Sequence, residues 1–334
     1  MAGTYLLFLF CGFLVIYTGS KLSTYGDVIA AKTTLGHGIV GGVLIAAATS
    51  LPELTSSITA ALIDAPDIAI GNVYGSNTFN LTILAMGDIF HRQGRFLGSV
   101  KLNHILAGMF GVLLSAIGAI SILMAKLAGF DIKFGWISLY SLIIFMVYIY
   151  GSILIIRYES KVKRVEPEEV EEVVETNTMT LRRAIIGFGL ATAIIIWAGM
   201  NLSYTGEAIA KHTGLGQTFV GTLLIAATTS LPELVATIAA INIGAYDMAA
   251  GNVFGSNVFN MLIIFITDIV YYKGSIFSAV DINHAITAMA GIILSSIAVI
   301  GLFYRSKRTI FTIGWDSVFI ILVYIFTVYY IYIS

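Results

Sequence analysis

Residues 44–80 read LIAAATSLPELTSSITAALIDAPDIAIGNVYGSNTFN, and residues 224–260 read LIAATTSLPELVATIAAINIGAYDMAAGNVFGSNVFN. One polar module is therefore written twice, 180 positions apart. The register holds without a gap from Gly19/Gly199 and Gly26/Gly206, through Glu53/Glu233 and Asn80/Asn260, to Asn103-His104/Asn283-His284. A duplication on this scale is the mark of a transporter built from two halves.

The rest of the chain is a membrane protein. Of its 334 residues 58% are hydrophobic and only 11% charged, with a mean hydropathy of +0.92. Its net charge of −1 offers no basic face to nucleic acid, and the single Cys11 excludes an internal disulfide and a cysteine-built metal site. The first apolar run, Tyr5 to Thr18, has no basic residue before it and no small-residue cleavage signal after it, so it reads as a retained helix.

Crossing about 30 Å of hydrocarbon takes about 20 residues. Runs of that length lie near 4–24, 38–62, 68–90, 104–126 and 134–156, and again near 184–204, 218–242, 248–270, 284–304 and 312–333. This predicts an all-α integral membrane protein of ten transmembrane helices, with a first five-helix repeat over 1–156 and a second over 184–334. Between them, residues 157–183 hold the one sustained charged segment, KVKRVEPEEVEEVVETNT, which reads as a solvated cytoplasmic linker.

An odd number of spans per repeat makes the second repeat enter the membrane from the opposite side, so the repeats are expected to be inverted. Charge points the same way. With the N-terminus outside, the inner face carries Lys21, Lys32, Arg92, Arg95, Lys101, Arg157, Lys161, Lys163, Arg164, Arg182, Arg183, Arg305, Lys307 and Arg308, and the outer face only Lys126, Lys133, Lys211 and Lys273. By the positive-inside rule both termini are extracellular and the linker is cytoplasmic.

The chemistry begins with Glu53 and Glu233, close to the middle of otherwise apolar spans. An acidic residue at a helix centre costs roughly 2.5–3.5 kcal/mol on insertion scales and usually marks an ion or proton pathway. A structural Lys or Arg partner is the competing explanation, but none is expected inside a span. Two glutamates without a fixed counter-charge need a mobile one.

Pro52 and Pro232 precede these glutamates, and each removes a backbone donor and disfavours helical geometry at the leucine before it. Helices two and seven should break there, at the midplane. Carbonyls from Ala46 to Ser50 and from Ala226 to Ser230 would then point inward beside the hydroxyls of Thr49, Ser50, Thr229 and Ser230. Oxygens of these kinds are ligands for hard cations such as Ca²⁺ and Na⁺.

In the third and eighth spans, helical spacing puts Asn72, Ser76 and Asn80 on one stripe, with Asn252, Ser256 and Asn260 on its twin. Gly71/Gly75 and Gly251/Gly255 are small-xxx-small pairs for close helix packing. Asn72, Asn77, Asn252 and Asn257 are expected to bond between helices. Asn80, Asn260, Ser76 and Ser256 are expected to complete an ion site. Asp88 and Asp268, at the far ends of these spans, suit interfacial capping, with a gating carboxylate as the sharper alternative; His104 and His284 suit interfacial caps.

TSLPEL followed by GNVxGSNxFN, once per half, resembles the two α-repeats of the calcium/cation antiporter superfamily, and in particular its prokaryotic sodium/calcium exchanger branch. The resemblance covers the whole transmembrane chain. It implies that the second, third, seventh and eighth helices enclose the ions, with Glu53 and Glu233 as central Ca²⁺ ligands assisted by Thr49 and Thr229. It further implies that Ser50, Ser76, Ser230 and Ser256, with the carbonyls of Ala46 and Ala226, serve flanking Na⁺ sites, and that the first and sixth helices slide across the rest. Two departures stand out: the family's usual glycine before TSLPE is Ala48 in one half and Thr228 in the other, and Asn260 stands where some members carry aspartate.

The expected function is therefore secondary active exchange of Ca²⁺ for Na⁺ by alternating access, with no cofactor and with a single chain sufficing, since both halves of the site lie in it. A proton/Ca²⁺ antiporter on the same scaffold is the alternative, because the same glutamates could carry the proton. A passive cation channel fits duplicated broken helices less well. An intramembrane enzyme would need distinct catalytic roles, which symmetric copies of Glu, Ser and Asn do not provide.

Overall fold

The computed structural model of the chain describes residues 2–33, 40–91, 95–165, 179–214, 216–305, 309–310 and 313–333. Ten spans follow one another. The first is Ala2–Lys32; the second combines a π-helical turn Val40–Ile45 with Ala46–Thr49 and Leu51–Leu62; the third is Pro66–Phe90, the fourth His104–Leu127 and the fifth Leu139–Val165. The sixth is Leu181–Thr213. The seventh joins Gln217–Phe219, Val220–Ile225, Ala226–Thr229 and Leu231–Asn242. The eighth is Tyr246–Val270, the ninth Asn283–Tyr304 and the tenth Trp315–Ile333.

Among the described residues eight helices are long and apolar enough to cross a membrane, and the second span adds a pair bent by 41°. The third has the length, at 25 residues, and spans about 37 Å at 1.5 Å per residue. Its polarity comes from the GNVYGSNTFN stripe, which lies inside the bundle.

Several boundaries differ from the sequence reading. The first and sixth helices run to 31 and 33 residues, longer than the hydrocarbon requires, which tilt accommodates. Lys21 therefore lies within a helix, not in a loop; it is exposed, 5.7 Å from the ring centre of Tyr17. The fifth helix continues through Arg157 to Val165; residues 166–178 of the charged segment lie outside the described residues. The fifth and tenth spans begin later than expected because a two-residue hairpin precedes each, Lys133–Phe134 with Ile137–Ser138 and Thr309–Ile310 with Ile313–Gly314. In the first hairpin Gly135 takes φ +67° at the turn.

Each broken helix bends one residue earlier than the proline rule suggests. Ser50 (φ −86°, ψ 8°) and Ser230 (φ −84°, ψ 6°) leave helical geometry, and Leu51 and Leu231 already open the next helix with the proline in its first turn. A proline is tolerated there because its missing N–H would have no helical partner. The chain is bent more than unwound: Ser50 and Ser230 carbonyls accept from Leu54 N and Leu234 N at 3.1 Å, and Ala46 and Ala226 carbonyls accept from Ser50 N and Ser230 N at 3.0 Å.

The third and eighth helices pack against each other. Two large apolar clusters flank them, one joining Leu84 and Phe96 to Phe254 and Leu294, the other joining Tyr74 and Leu114 to Met261 and Phe277. Each contains residues of both repeats, so neither half has a complete core of its own. The first and sixth helices pack on each other and on the bends of the opposite repeat. A Cβ on Gly19 would lie 2.6 Å from Pro232 Cα, and one on Gly199 2.9 Å from Pro52 Cα.

Asp88 and Asp268 are structural caps. Asp88 accepts from Phe96 N and Gly314 N, both at 2.8 Å, and from Ser317 Oγ at 2.7 Å. Asp268 accepts from Ile276 N and Ser138 N at 2.8 Å and from the Ser141 hydroxyl. Each carboxylate thus ties the end of its helix to a short helical turn and to the hairpin before the fifth or tenth span.

Candidate ion-binding site

Where the two bends meet, the repeats exchange hydrogen bonds. Glu53 Oε1 accepts from Ser230 Oγ at 2.8 Å and Ser76 Oγ at 3.2 Å, and Glu233 Oε1 from Ser50 Oγ at 3.0 Å and Ser256 Oγ at 3.5 Å. The serine before each proline thus serves the other repeat's glutamate. Both glutamates sit in the first turn of a helix, where backbone N–H groups favour negative charge.

The asparagines divide into two kinds. Asn72 Nδ2 donates to Glu53 O (3.2 Å) and Ser57 Oγ (3.0 Å), while its Oδ1 accepts from Thr229 Oγ1 (3.0 Å). Asn252 repeats this with Glu233 O (3.3 Å), Thr237 Oγ1 (3.1 Å) and Thr49 Oγ1 (3.2 Å). These amides clamp the bend and orient the glutamates. Asn80 Nδ2 donates to Asn257 Oδ1 at 3.1 Å and Asn260 Nδ2 to Asn77 Oδ1 at 3.0 Å, while Asn257 Nδ2 donates to Asn77 O at 3.1 Å.

Among the buried oxygens without a hydrogen-bond partner in the described residues, four belong to residues of these motifs: Glu53 Oε2, Glu233 Oε2, Asn80 Oδ1 and Asn260 Oδ1. They form two symmetry pairs, and all four side chains are 0% exposed. Leaving such groups unsatisfied costs about 1–3 kcal/mol each, more when charged. Among the described residues no ion pair reaches either glutamate. Two carboxylate and two amide oxygens, buried and without donors, have the composition of a hard-cation site.

The sequence-predicted hydroxyls are gathered at the glutamates, and Asn80 and Asn260 follow one turn after Ser76 and Ser256, bonded to Asn257 and Asn77. Thr49, Thr229, Ser50, Ser230, Ser76 and Ser256 are all fully buried. Ser256 Oγ also reaches Ala46 O at 3.4 Å and Ser76 Oγ reaches Ala226 O at 3.5 Å, so carbonyl, hydroxyl and carboxylate are contiguous on each side. Ser57 and Thr237 escaped the sequence reading. Their signal was present: both repeats place a hydroxyl one turn after the glutamate, facing Asn72 and Asn252. The π-helical turns Val40–Ile45 and Val220–Ile225 were not legible either.

His284 hydrogen-bonds across the repeats to Asp67, and His104 lies beside Asp247 in the matching place without a hydrogen bond to it. His284 Nε2 lies 3.1 Å from Asp67 Oδ1 and His104 Nε2 3.4 Å from Asp247 Oδ1.

The fold and this site define a duplicated membrane transporter. The sodium/calcium exchanger protein family matches residues 4–156 and 183–333, and the chain belongs to that family. Its relatives include the sodium/calcium exchanger MaX1 of Methanosarcina acetivorans, 26% identical with 96% of each chain covered. Another is the putative antiporter CaxA of Alkalimonas amylolytica, 26% identical over 77% of this chain and 78% of that protein. Among solved structures, the sodium-calcium exchanger NCX_Mj soaked with 10 mM Na⁺ and zero Ca²⁺ superposes with a TM-score of 0.67 at 20% identity, covering 98% of this chain and 99% of that one.

Proposed function

We propose that this chain is a secondary active antiporter that exchanges Ca²⁺ for Na⁺ by alternating access. The observation that carries the reading is the set of four partnerless buried oxygens on Glu53, Glu233, Asn80 and Asn260. Family membership and the name of the relative MaX1 support the choice of ions.

In this reading Glu53 and Glu233 hold Ca²⁺, with Thr49 and Thr229 beside them and the amide oxygens of Asn80 and Asn260 facing the same space. Ser50, Ser76, Ser230 and Ser256, with the Ala46 and Ala226 carbonyls, hold Na⁺ at the flanks. Two carboxylates in a dry site repel one another, so the site favours one divalent or several monovalent cations. Because the two ions compete for the same oxygens, occupancy by one excludes the other, and only a neutralised site changes its facing. The inverted repeats, residues 1–156 and 184–334, supply two facings of similar energy. The termini lie outside and the 157–183 linker in the cytoplasm, and one chain is the transport unit.

The test is radiolabelled Ca²⁺ uptake into proteoliposomes under an outward Na⁺ gradient. Uptake driven by Na⁺ and lost in Glu53→Gln/Glu233→Gln is the expected result. Uptake driven by a proton gradient alone, or requiring no gradient, would overturn the assignment.

A further inference from the structure

The repeats are alike at the site and unlike on the way to it. A cavity of about 290 Å³ lies among the second, fourth, fifth and eighth helices; its lining is mostly aliphatic, with His104, Tyr148, Ser152 and Glu159 as its polar side chains. Its inner end is the Ala46 and Gly255 wall. Immediately behind that wall Ser256 Oγ bridges Ala46 O (3.4 Å) and Glu233 Oε1 (3.5 Å). Its outer end lies at the start of the fourth helix and the last turns of the fifth, on the face from which the linker departs.

The tenth helix repeats the fifth with a shift of 176, since Ser138 and Ser141 bond Asp268 as Gly314 and Ser317 bond Asp88. In that register the cavity-lining Tyr148, Ile149, Ser152, Ile153 and Ile156 correspond to Tyr324, Ile325, Val328, Tyr329 and Tyr332. Those five residues, with Phe219 and Leu223, line a recess toward the opposite face. Ala226 is not part of its wall. Ser152 has become Val328, two isoleucines have become tyrosines, and the Phe219 and Tyr332 rings pack edge to face with centroids 5.4 Å apart. On the linker face the cavity reaches Ala46 and carries Ser152 and Glu159 on its lining, whereas the recess on the other face is lined by aromatic and aliphatic side chains and stops short of Ala226.

At the open mouth, Lys101 is engaged by Asp247, whose Oδ2 lies 3.7 Å from Lys101 Nζ and whose Oδ1 accepts from Lys101 N at 2.8 Å. His104 also turns to Asp247. Glu159 Oε1 accepts from the neutral amide of Asn103 at 2.6 Å; Lys101 and His104 attract its charge from a distance and Asp247 repels it, and among the described residues no ion pair reaches it. A half-buried carboxylate at the neck of a low-dielectric passage concentrates cations there. We propose that this cavity is the route by which cations reach the site from the linker face, and that Glu159 is its recruiting residue, outside the exchange site itself. The proposal rests on the antiporter reading for what passes through the cavity, but not for whether the cavity admits cations.

The test uses the full-length protein in proteoliposomes, with Cys11→Ala and Ser152→Cys, and membrane-impermeant methanethiosulfonates of either charge added to one face at a time. Modification from the linker face, faster for the trimethylammonium than for the sulfonate reagent, is expected. Glu159 lies two helical turns beyond Ser152, about 10 Å away, so Glu159→Gln should lower the cation-to-anion rate ratio about fourfold or more. Taking the ratio cancels any change in the thiol's own ionisation. Glu159→Gln keeps an acceptor for Asn103, and Glu159→Asp, which keeps the charge, should retain the preference. In Ca²⁺ flux, Glu159→Gln should raise the apparent KM from the linker face alone. No modification from that face, or a ratio unmoved by Glu159→Gln, overturns the proposal. Labelling that behaves as expected in a protein without Na⁺-driven Ca²⁺ uptake would keep the cavity and refute only the ion assignment.

Discussion

Glu53 and Glu233 occupy nearly interchangeable surroundings, whereas Arg95 and its counterpart Ser275 do not. Each glutamate takes one serine from its own repeat and one from the other. At the linker face Arg95 forms a buried ion pair with Asp316, both side chains under a tenth exposed. The corresponding positions at the opposite face are Ser275 and Tyr140, and Tyr140 OH donates instead to Phe130 O at 2.9 Å. A site that holds a small symmetric cation tolerates little divergence between its halves, because both must present oxygens at similar radii. The two mouths face different compartments and carry no such constraint.

The largest effect that could break this comparison is at the glutamates. Glu53→Gln and Glu233→Gln should each lower Ca²⁺ flux about 100-fold or more, since ligand charge sets affinity for a hard cation. Near-normal flux in either single variant would show that the halves are unequal in function. Arg95→Ala leaves Asp316 buried without its cation and should destabilise by about 3–5 kcal/mol, while Ser275→Ala, which removes a buried hydroxyl without a partner, should be neutral or stabilising. Thermal unfolding in detergent measures both, and equal costs would erase the asymmetry.

A smaller effect comes from the caps. Asp88→Asn and Asp268→Asn should each cost about 1–3 kcal/mol, by similar amounts, because both carboxylates accept two backbone N–H groups and one serine. A Cβ on Gly75 would run into the Thr222 backbone carbonyl and meet Ala226 Cβ at 2.7 Å, so Gly75→Ala should cost about 3 kcal/mol or more by overpacking. It should also weaken Na⁺ activation by displacing the Ala226 carbonyl, which Na⁺-dependence of the flux would reveal.

The smallest effect is on the surface. Lys273 Nζ lies 2.7 Å from Asp64 Oδ2, and hydrogen bonding to Lys273 lowers the Asp64 pKa and raises that of Lys273. The acid's contribution is present above its unfolded value of about 4 and lost as pH falls through the lower folded one. Lysine's contribution is lost only as pH rises through its raised folded value. Asp64→Asn should therefore leave the unfolding midpoint slightly lower near neutrality and flatten its acid limb. Asp64 holds φ 64° where its twin Gly244 holds φ 79°, so Asp64→Gly separates backbone relief from the lost ion pair.

Much of this was legible in the sequence because the signals were strong and doubled. Glu53, Pro52 and Asn80 each recur 180 residues on, and a carboxylate in an apolar span has few structural explanations. The bend came one residue early because a helix restarting at Leu51 can use Pro52 in its first turn, which the pairwise proline rule ignores. Ser57 and Thr237 were missed because a hydroxyl in an apolar helix usually bonds its own backbone, and nothing local says that Asn72 or Asn252 faces it.

The sequence by itself determined the duplication, the ten spans, the inversion and the residues at the bends, since hydropathy and repeat register are properties of the chain. Only the tertiary structure decided which oxygens are spent and which are left over. It alone showed that Asn72 and Asn252 use their oxygens in clamping while Asn80 and Asn260 keep theirs buried without a partner, and that Asp88 and Asp268 are caps. It also decided that the cavity beside Ser152 reaches Ala46 while the recess beside Val328 stops short of Ala226. Those outcomes depend on partners far apart in the chain, and a hydrogen-bond donor's direction is fixed by packing, which no local pattern encodes.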